Sequence, residues 1–487
     1  MLSYWEIITF VVISIFVLML VLISVVLVLE NRNPTKTLAW LIVMVFIPVV
    51  GFVFYMLFGQ SLRKRKQLQR KEEQDRSDAD WLWQYSFQRE HVELIKRYPG
   101  SKRRLINLLL HNCRAPFTVN NQTQLFLDGN RAFPELFNDL KRAQHHIHLE
   151  FYIVRDDNLG KQLKEILIDA AKRGVEVRFL YDALGSKKLP SSYINEMKSH
   201  GIQMIPFLPL RYPLLNSKVN YRNHRKIVVV DGIIGYIGGL NIGDEYMGKG
   251  PLGYWRDTHM RIQGEAVKFL QRVFCSDWYF ASQEWILTKS YFPTLQEADL
   301  PPTAVHKPIQ VISSGPDSDH ESIMQAYFTM LGFAQEHIYI TSPYFIPEES
   351  LIMALKTAAL SGVDVRIIFP ANADHPVVHW ASMSYLKELH EDGVKIYFYD
   401  KGFIHAKALT VDSIMGSVGS ANVDLRSFQL NFEVNAILYD DDVVKELEVQ
   451  FLNDLKECKS YEEYVNPDPS LWIRIRESIA RLFSPLL

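Results

Sequence analysis

The stretch RNHRKIVVVD at 222–231 returns 181 residues later as FIHAKALTVD at 403–412. No other feature constrains the fold of the chain so strongly. Three more pairs of stretches match in the same order: AQHHIHLEFYI (143–153) with AQEHIYITSPYF (334–345), AAKRGVEVRFLYD (170–182) with AALSGVDVRIIFP (358–370), and HGIQMIPF (200–207) with DGVKIYFY (392–399). The offset drifts only from 191 residues at the first pair to 181 at the motif. A unit of about 180 residues has been duplicated, far longer than the repeats of solenoids.

Each copy reads strand, helix, strand, helix, strand, then the motif strand. HIHLEFYIV and VEVRFLYD are rich in β-branched and aromatic residues, as strands require, and GKQLKEILIDAAKR carries helical spacing. Strands alternating with helices predict an α/β fold, a mostly parallel sheet covered by helices, made twice and packed into two lobes. The boundaries expected are 116–300 and 301–465 for the two copies, with 61–115 as a connector and 466–487 as a C-terminal helix.

In a strand, residues two apart share a face. His224 therefore points with Lys226, and His405 with Lys407, while Asp231 and Asp412 fall on the other face. The dipeptide at Asp231 and Gly232 suggests a turn, so the aspartate holds a strand end or a neighbour. After each motif comes a small-residue turn ending in asparagine, IGGLN (237–241) and VGSAN (418–422). Gly238, Gly239, Gly419 and Ser420 let backbone approach a ligand, and Asn241 and Asn422 can donate to an anionic oxygen. Facing copies would gather two imidazoles, two ammonium groups and two amides, with few acids among them. That set suits a phosphodiester: the lysines offset charge on the phosphate and in the transition state, with no metal required. One histidine attacks phosphorus, and the other protonates the departing alkoxide. Spacing does not decide which is which. A carboxylate should fix the tautomer of the attacking ring, and Glu433 (NFEVNAIL) and Asp257 (WRDTHMRI), at corresponding places in the two copies, are the candidates.

The formal net charge is −2, which excludes a basic nucleic-acid binder, and three well-separated cysteines make neither a disulfide framework nor a zinc pattern. Residues 1–60 differ from the rest. Ile7–Leu29 is 23 residues without a charge and Leu38–Phe58 a further 21, each long enough for a hydrocarbon core of roughly 30 Å. Two membrane-crossing helices are expected, the second interrupted by Pro48 and Gly51. The RKRK run at Arg63–Lys66, with Arg70 and Lys71, outweighs Arg32 and Lys36 in the short loop. Both termini and the catalytic body are thus expected in the cytoplasm, with the protein multi-pass in the cell membrane.

The doubled motif resembles the signature of the phospholipase D superfamily. NRNPTKTLAW between the two apolar segments, RDTHMRI and the ending RLFSPLL make the whole length similar to the bacterial cardiolipin synthases within it. The resemblance implies two tandem phospholipase D-like α/β domains packed face to face behind two transmembrane helices. It implies that two phosphatidylglycerol molecules give cardiolipin and glycerol through a phosphatidyl-histidine, with membrane lipids as partners and no cofactor, metal or nucleic acid. Carried over, His224, Lys226, Asp231, His405, Lys407 and Asp412 form the catalytic set. Asn241, Asn422, Gly239 and Ser420 surround the phosphate, and the family points to His224 as the nucleophile. The copies differ at Gly239 and Ser420, so a hydroxyl contact there is one-sided.

Rival readings are a phospholipase D-type hydrolase or another phosphatidyltransferase of the superfamily, a nuclease, and a non-catalytic lipid-binding scaffold. Two intact motifs count against the scaffold. His375 and His379 have helical spacing but lack a third ligand, so they read as a packed or pocket-lining pair. His145, His146 and His148 read as structural. The tail LWIRIRESIARLF (471–483) places Leu471, Trp472, Ile475, Ile479, Leu482 and Phe483 along one face, to lie on a membrane or to dock on the body.

Overall fold

The structure, a computed structural model, describes residues 4–29, 42–43, 89–209, 220–293 and 306–484. The chain divides into two units, one of Met1–Leu68 with Leu210–Asn220, the other of Gln69–Pro209 with Tyr221–Leu487. In the first, Tyr4–Leu29 is one helix of 26 residues with Phe10, Ile13, Val17, Val21 and Val25 exposed. The second apolar segment, 38–58, lies outside the described residues except Ile42 and Val43.

The second unit holds the duplication. The first lobe runs β1 (Asn121–Phe126), β2 (His146–Phe151), β3 (Glu176–Asp182), β4 (Gln203–Phe207), β5 (Arg222–Asn223), β6 (Ile227–Val230), β7 (Ile234–Gly238), β8 (Tyr254–Arg256) and β9 (His259–Gly264). The second runs β10 (Ile309–Ser314), β11 (His337–Thr341), β12 (Phe345–Ile346), β13 (Asp364–Pro370), β14 (Lys395–Tyr399), β15 (Gly402–Ile404), β16 (Ala408–Val411), β17 (Met415–Gly419), β18 (Val423–Asp424), β19 (Asn431–Leu438) and β20 (Cys458–Ser460). The sheets are ordered β1-β9-β7-β6-β2-β3-β4 and β10-β19-β17-β16-β11-β13-β14-β20, the same path in both lobes with one strand added at the edge of the second.

A mostly parallel sheet was the expectation, and each lobe differs from it. Along the two main sheets only β2, β3 and β4, and their counterparts β11, β13 and β14, run parallel to one another. These are the strands joined by crossover helices, Asn158–Lys172 and Ser191–Ser199 in the first lobe. The motif strand is instead followed by a tight turn and returns antiparallel. Asp231 and Gly232 take φ of 54° and 70°, and Asp412 and Ser413 51° and 56°, the left-handed region that such turns demand.

Burial explains the strand sequences. In IVVV of β6, Val228 and Val230 face the first lobe's own core, while Ile227 and Val229 face a second cluster shared with Val311, Val418, Val434 and Ala436 of the other lobe. Strands covered on both faces read as continuous apolar runs. This shared seam joins the two sheets. The connector expected over 61–115 stops short, because the helix Gly100–Asn112 buries Leu105, Ile106, Leu109 and Leu110 in the second lobe's core with Ile323 and Met330.

Candidate active site

Two short parallel pairings between the lobes build the site. Immediately before His224, β5 pairs with the start of β19 in the other lobe, Arg222 opposite Asn431 and Asn223 opposite Phe432. Immediately before His405, β15 pairs with β8, Phe403 opposite Trp255 and Ile404 opposite Arg256. Backbone bonds extend both ladders by a rung: the His224 amide donates to the Phe432 carbonyl at 2.9 Å, and the His405 amide to the Arg256 carbonyl at 2.7 Å. The next residue of each opposing strand is the carboxylate, Glu433 or Asp257. Each histidine therefore meets the acid of the other lobe.

His224 Nδ1 lies 2.9 and 3.1 Å from the two Glu433 oxygens and 3.2 Å from the Ser420 carbonyl. All three are acceptors, so Nδ1 carries the proton and Nε2 keeps its lone pair. His405 Nδ1 lies 2.8 Å from Asp257 Oδ2 and also 2.8 Å from Lys407 Nζ. One neighbour accepts and the other donates, so geometry alone leaves this tautomer open. With both Nδ1 atoms engaged, Nε2 is the nitrogen each ring offers to the cavity.

That cavity, about 370 Å³, is lined by both His224 and His405, together with Asn241 and Asn422. Lys226 and Lys407 are buried behind the rings, Lys226 Nζ donating to the His224 carbonyl at 2.6 Å and Lys407 Nζ to the His405 carbonyl. Burial brings the ammonium of Lys226 down to about 7 and that of Lys407 to about 8, against the pull of Asp257 and Glu433. Burial likewise lowers His224, with Glu433 opposing and Lys226 assisting, and brings His405 down to about 4, with Lys407 assisting and Asp257 opposing. Glu433 and Asp257 are held below the usual carboxylate range: burial pushes each up, but the adjoining histidine and lysine outweigh it. A site crowded with suppressed cations is suited to an anion, which restores their charge.

The remaining motif residues do other work. Asp231 accepts from the amides of Gln144, His145 and His146 at 2.8–2.9 Å, and Asp412 from those of Gln335, Glu336 and His337 at 2.7–2.8 Å. They cap β2 and β11 at the far end of the motif strands, so the catalytic set implied by the family resemblance is divided in space. Asn241 Nδ2 donates to the Tyr246 hydroxyl at 2.9 Å, and its Oδ1 accepts from the Ile153 amide at 3.0 Å. Asn422 keeps a buried Oδ1 without a protein partner.

Gly239 and Ser420 show why the copies differ. The Ser420 hydroxyl donates to Glu433. A Cβ at Gly239 would lie 2.0 Å from Asp257 Oδ1, so the first lobe's carboxylate fills the space the serine occupies in the second. Gly239→Ser is therefore expected to displace Asp257 and lower turnover, although it copies the second lobe. Unchanged steady-state rates would refute this packing account.

Several cavity residues escaped sequence reasoning: Arg155, Arg222, Arg426, Tyr152, Tyr246, Trp255, Tyr344, Asp374 and Asp424. Tyr152 meets His224 edge-on with ring centroids 5.0 Å apart, and Trp255 lies 5.2 Å from His405. Burial raises the Asp424 carboxyl to about 6. A signal existed for two of them, since Arg222 stands two residues before His224 and Asp424 two after Asn422. His375 lines the cavity, whereas His379 packs beside Phe369 with ring centroids 5.3 Å apart, and burial lowers it to about 4. His146 and His148 pack around Gln271 and Tyr291. Among the described residues, no group of three His, Cys, Asp or Glu is placed to hold a metal ion.

Comparison with known proteins follows the same lines. The family described as "Cardiolipin synthase, PLD-like domain" matches residues 136–278 and 327–455, one segment in each lobe. "Phospholipase_D-nuclease N-terminal" matches 12–60. A cardiolipin synthase of Geobacillus sp. (strain WCH70) is 47% identical over 94% of this chain and 90% of its own length. The major cardiolipin synthase of Bacillus subtilis (strain 168) is 44% identical over 94% and 95%. Among solved structures, a phosphatidylserine synthase of Haemophilus influenzae Rd KW20 aligns with a TM-score of 0.59 at 15% identity, covering 80% of this chain and all of that one, a likeness of fold.

Proposed function

The chain belongs to the cardiolipin synthase family of phospholipase D-like proteins, and on that footing we propose that it moves a phosphatidyl group from one phosphatidylglycerol to another. One observation carries the reading: two imidazoles, each anchored at Nδ1 by a carboxylate of the opposite lobe, line a single cavity. Nε2 of His224 attacks phosphorus, and the P–O bond to the headgroup glycerol breaks. The departing alkoxide takes the proton of His405, giving free glycerol and a phosphatidyl-histidine. A hydroxyl of the second phosphatidylglycerol then returns a proton to His405 and attacks phosphorus, and His224 leaves. His224 is assigned as nucleophile because its Nδ1 faces only acceptors, which keeps its Nε2 lone pair available. Lys226 and Lys407 carry charge on the phosphoryl oxygens.

The roles set the pH dependence. His224 must be neutral, and its depressed pKa puts the acid limb of kcat/KM below the ordinary value of 6.5. His405 must be charged to protonate the leaving alkoxide and the lysines to hold the phosphate, so the lowered values in the free enzyme, about 4 for His405 and about 7 to about 8 for the lysines, put the basic limb of kcat/KM below the ordinary values of these groups. Bound phosphodiester favours the charged lysines, so the basic limb of kcat lies at higher pH than that of kcat/KM. Coincident limbs, or activity still climbing beyond those values, would remove the lysines from this role.

Among the described residues, no helix counts as long and apolar enough to cross a membrane. Anchoring is therefore proposed from the sequence of Ile7–Leu29 and Leu38–Phe58, and a cytoplasmic catalytic body from the Arg63–Lys66 cluster. The deciding experiment incubates purified protein with phosphatidylglycerol vesicles and a chelator. Cardiolipin and glycerol should form in equal amounts. Accumulation of phosphatidic acid would show that water, not a second lipid, accepts the phosphatidyl group.

A further inference from the structure

The helix Leu471–Leu482 docks on the protein the wrong way round for a globular helix. Its inward edge is Ile473, Glu477, Ala480 and Ser484, of which only Ala480 and Ser484 are fully buried. What holds it is polar: Arg481 pairs with Glu388 at 2.5 Å and reaches Ser384 at 3.3 Å, and the guanidinium of Arg476 stacks 4.5 Å over Trp380. The apolar residues face away, with Leu471, Trp472 and Leu482 72%, 76% and 79% exposed and Ile475, Ile479 and Phe483 also exposed. At helical spacing these six fall within an arc of about 120°. Docking was one of the two fates expected of this helix, but the face expected to dock is the one left out.

Its position is equally specific. The partner helix Pro376–Glu391 begins at the active-site cavity, where His375 and Val378 are lining residues, and its Val377 is 43% exposed. Arg476 lies against Trp380, and Arg481 against Ser384 and Glu388, so the two helices run parallel. Leu471 and Trp472 thus stand level with the first turn of the partner, the end that carries the cavity-lining His375 and Val378. Exposed Arg474 and Arg476 flank the apolar arc on either side.

We propose that the outward face of Leu471–Leu482 is a docking surface for an anionic bilayer, seating the cavity entrance at the headgroup layer. Six large side chains enter the interface, and the flanking arginines meet lipid phosphates, an arrangement of apolar and basic residues that suits a helix lying in the plane of a membrane. The charge complementarity is with the same anionic lipid that serves as substrate. In that respect the inference rests on the proposed function, while its fluorescence test does not.

The test uses the full-length protein in vesicles of phosphatidylcholine and phosphatidylglycerol, with and without bromine on the acyl chains. Subtracting the emission of Trp472→Phe from that of the wild type isolates Trp472. Its emission should be blue-shifted, and quenched by brominated lipid, more strongly when phosphatidylglycerol is present. Unquenched emission overturns the proposal. If red-shifted, it shows a solvated face, and if blue-shifted, a face covered by another segment of the chain or a second copy. A Trp472→Ser/Ile479→Ser/Leu482→Ser variant should raise the KM for vesicle lipid several-fold with kcat unchanged, and an unchanged KM counts against the surface. Quenching without any cardiolipin formation would sink the proposed reaction and leave the surface standing.

Discussion

His224→Ala is expected to abolish cardiolipin formation, a fall on the order of 10⁴-fold or more, because the covalent intermediate forms on its Nε2 and His405 is committed to proton transfer. His405→Ala should be as damaging with the natural lipid, but for a different reason. The glycerol alkoxide is a poor leaving group and needs a proton, so a leaving group that needs none separates the two roles. With a phosphatidyl p-nitrophenyl ester, His405→Ala should release one p-nitrophenolate per enzyme and then stall, its second step lacking a base. His224→Ala should release none. The opposite pattern would make His405 the nucleophile, and steady turnover by either variant would remove the covalent scheme. Both residues are more than nine-tenths buried but line the cavity, so the truncations leave the sheets and their seam intact.

The second large effect concerns the crossed carboxylates. Glu433→Gln and Asp257→Asn are each expected to lower kcat by about 10²- to 10⁴-fold, as when a histidine loses the carboxylate that fixes its tautomer. A positioning role has its own signature. Glu433 raises the pKa of His224, so Glu433→Gln lowers that pKa further and moves the acid limb of the kcat/KM profile to lower pH. A purely structural defect would lower the rate and leave the limb in place. Glu433→Ala and Asp257→Ala add a stability loss of about 3–5 kcal/mol, since they leave buried Lys226 or Lys407 with less compensation. In a double-mutant cycle, His224→Ala with Glu433→Gln should show strong non-additivity, and His224→Ala with Asp257→Asn little. Equal coupling for both pairs would contradict the crossed arrangement.

Much of this was written in the sequence because it is local. A strand alternates its faces, so the spacing of His224 and Lys226 fixed their common side, and the dipeptide at Asp231 and Gly232 suggested a turn. The matching stretches announced the duplication and with it a second, equivalent histidine. The parallel sheet was overestimated because crossover helices mark only three strands of each lobe, and the hairpins that reverse the rest lie within the motif itself. The helix Gly100–Asn112 looked like a connector because its charged surface residues hide the apolar stripe it gives to the second lobe. The crossed pairing was out of reach. His224 and Glu433 are 209 residues apart, His405 and Asp257 148, and a repeat of 181 residues names equivalent positions without saying which copy each one faces.

By itself, then, the chain's sequence determined its chemistry: two histidines, two lysines and two carboxylates at equivalent places, each set by short-range geometry. Only the tertiary structure decided their partners. Two short parallel strand pairings between the lobes put the carboxylate of one copy against the imidazole of the other, and hydrogen bonds that act over about 3 Å take no account of distance along the chain.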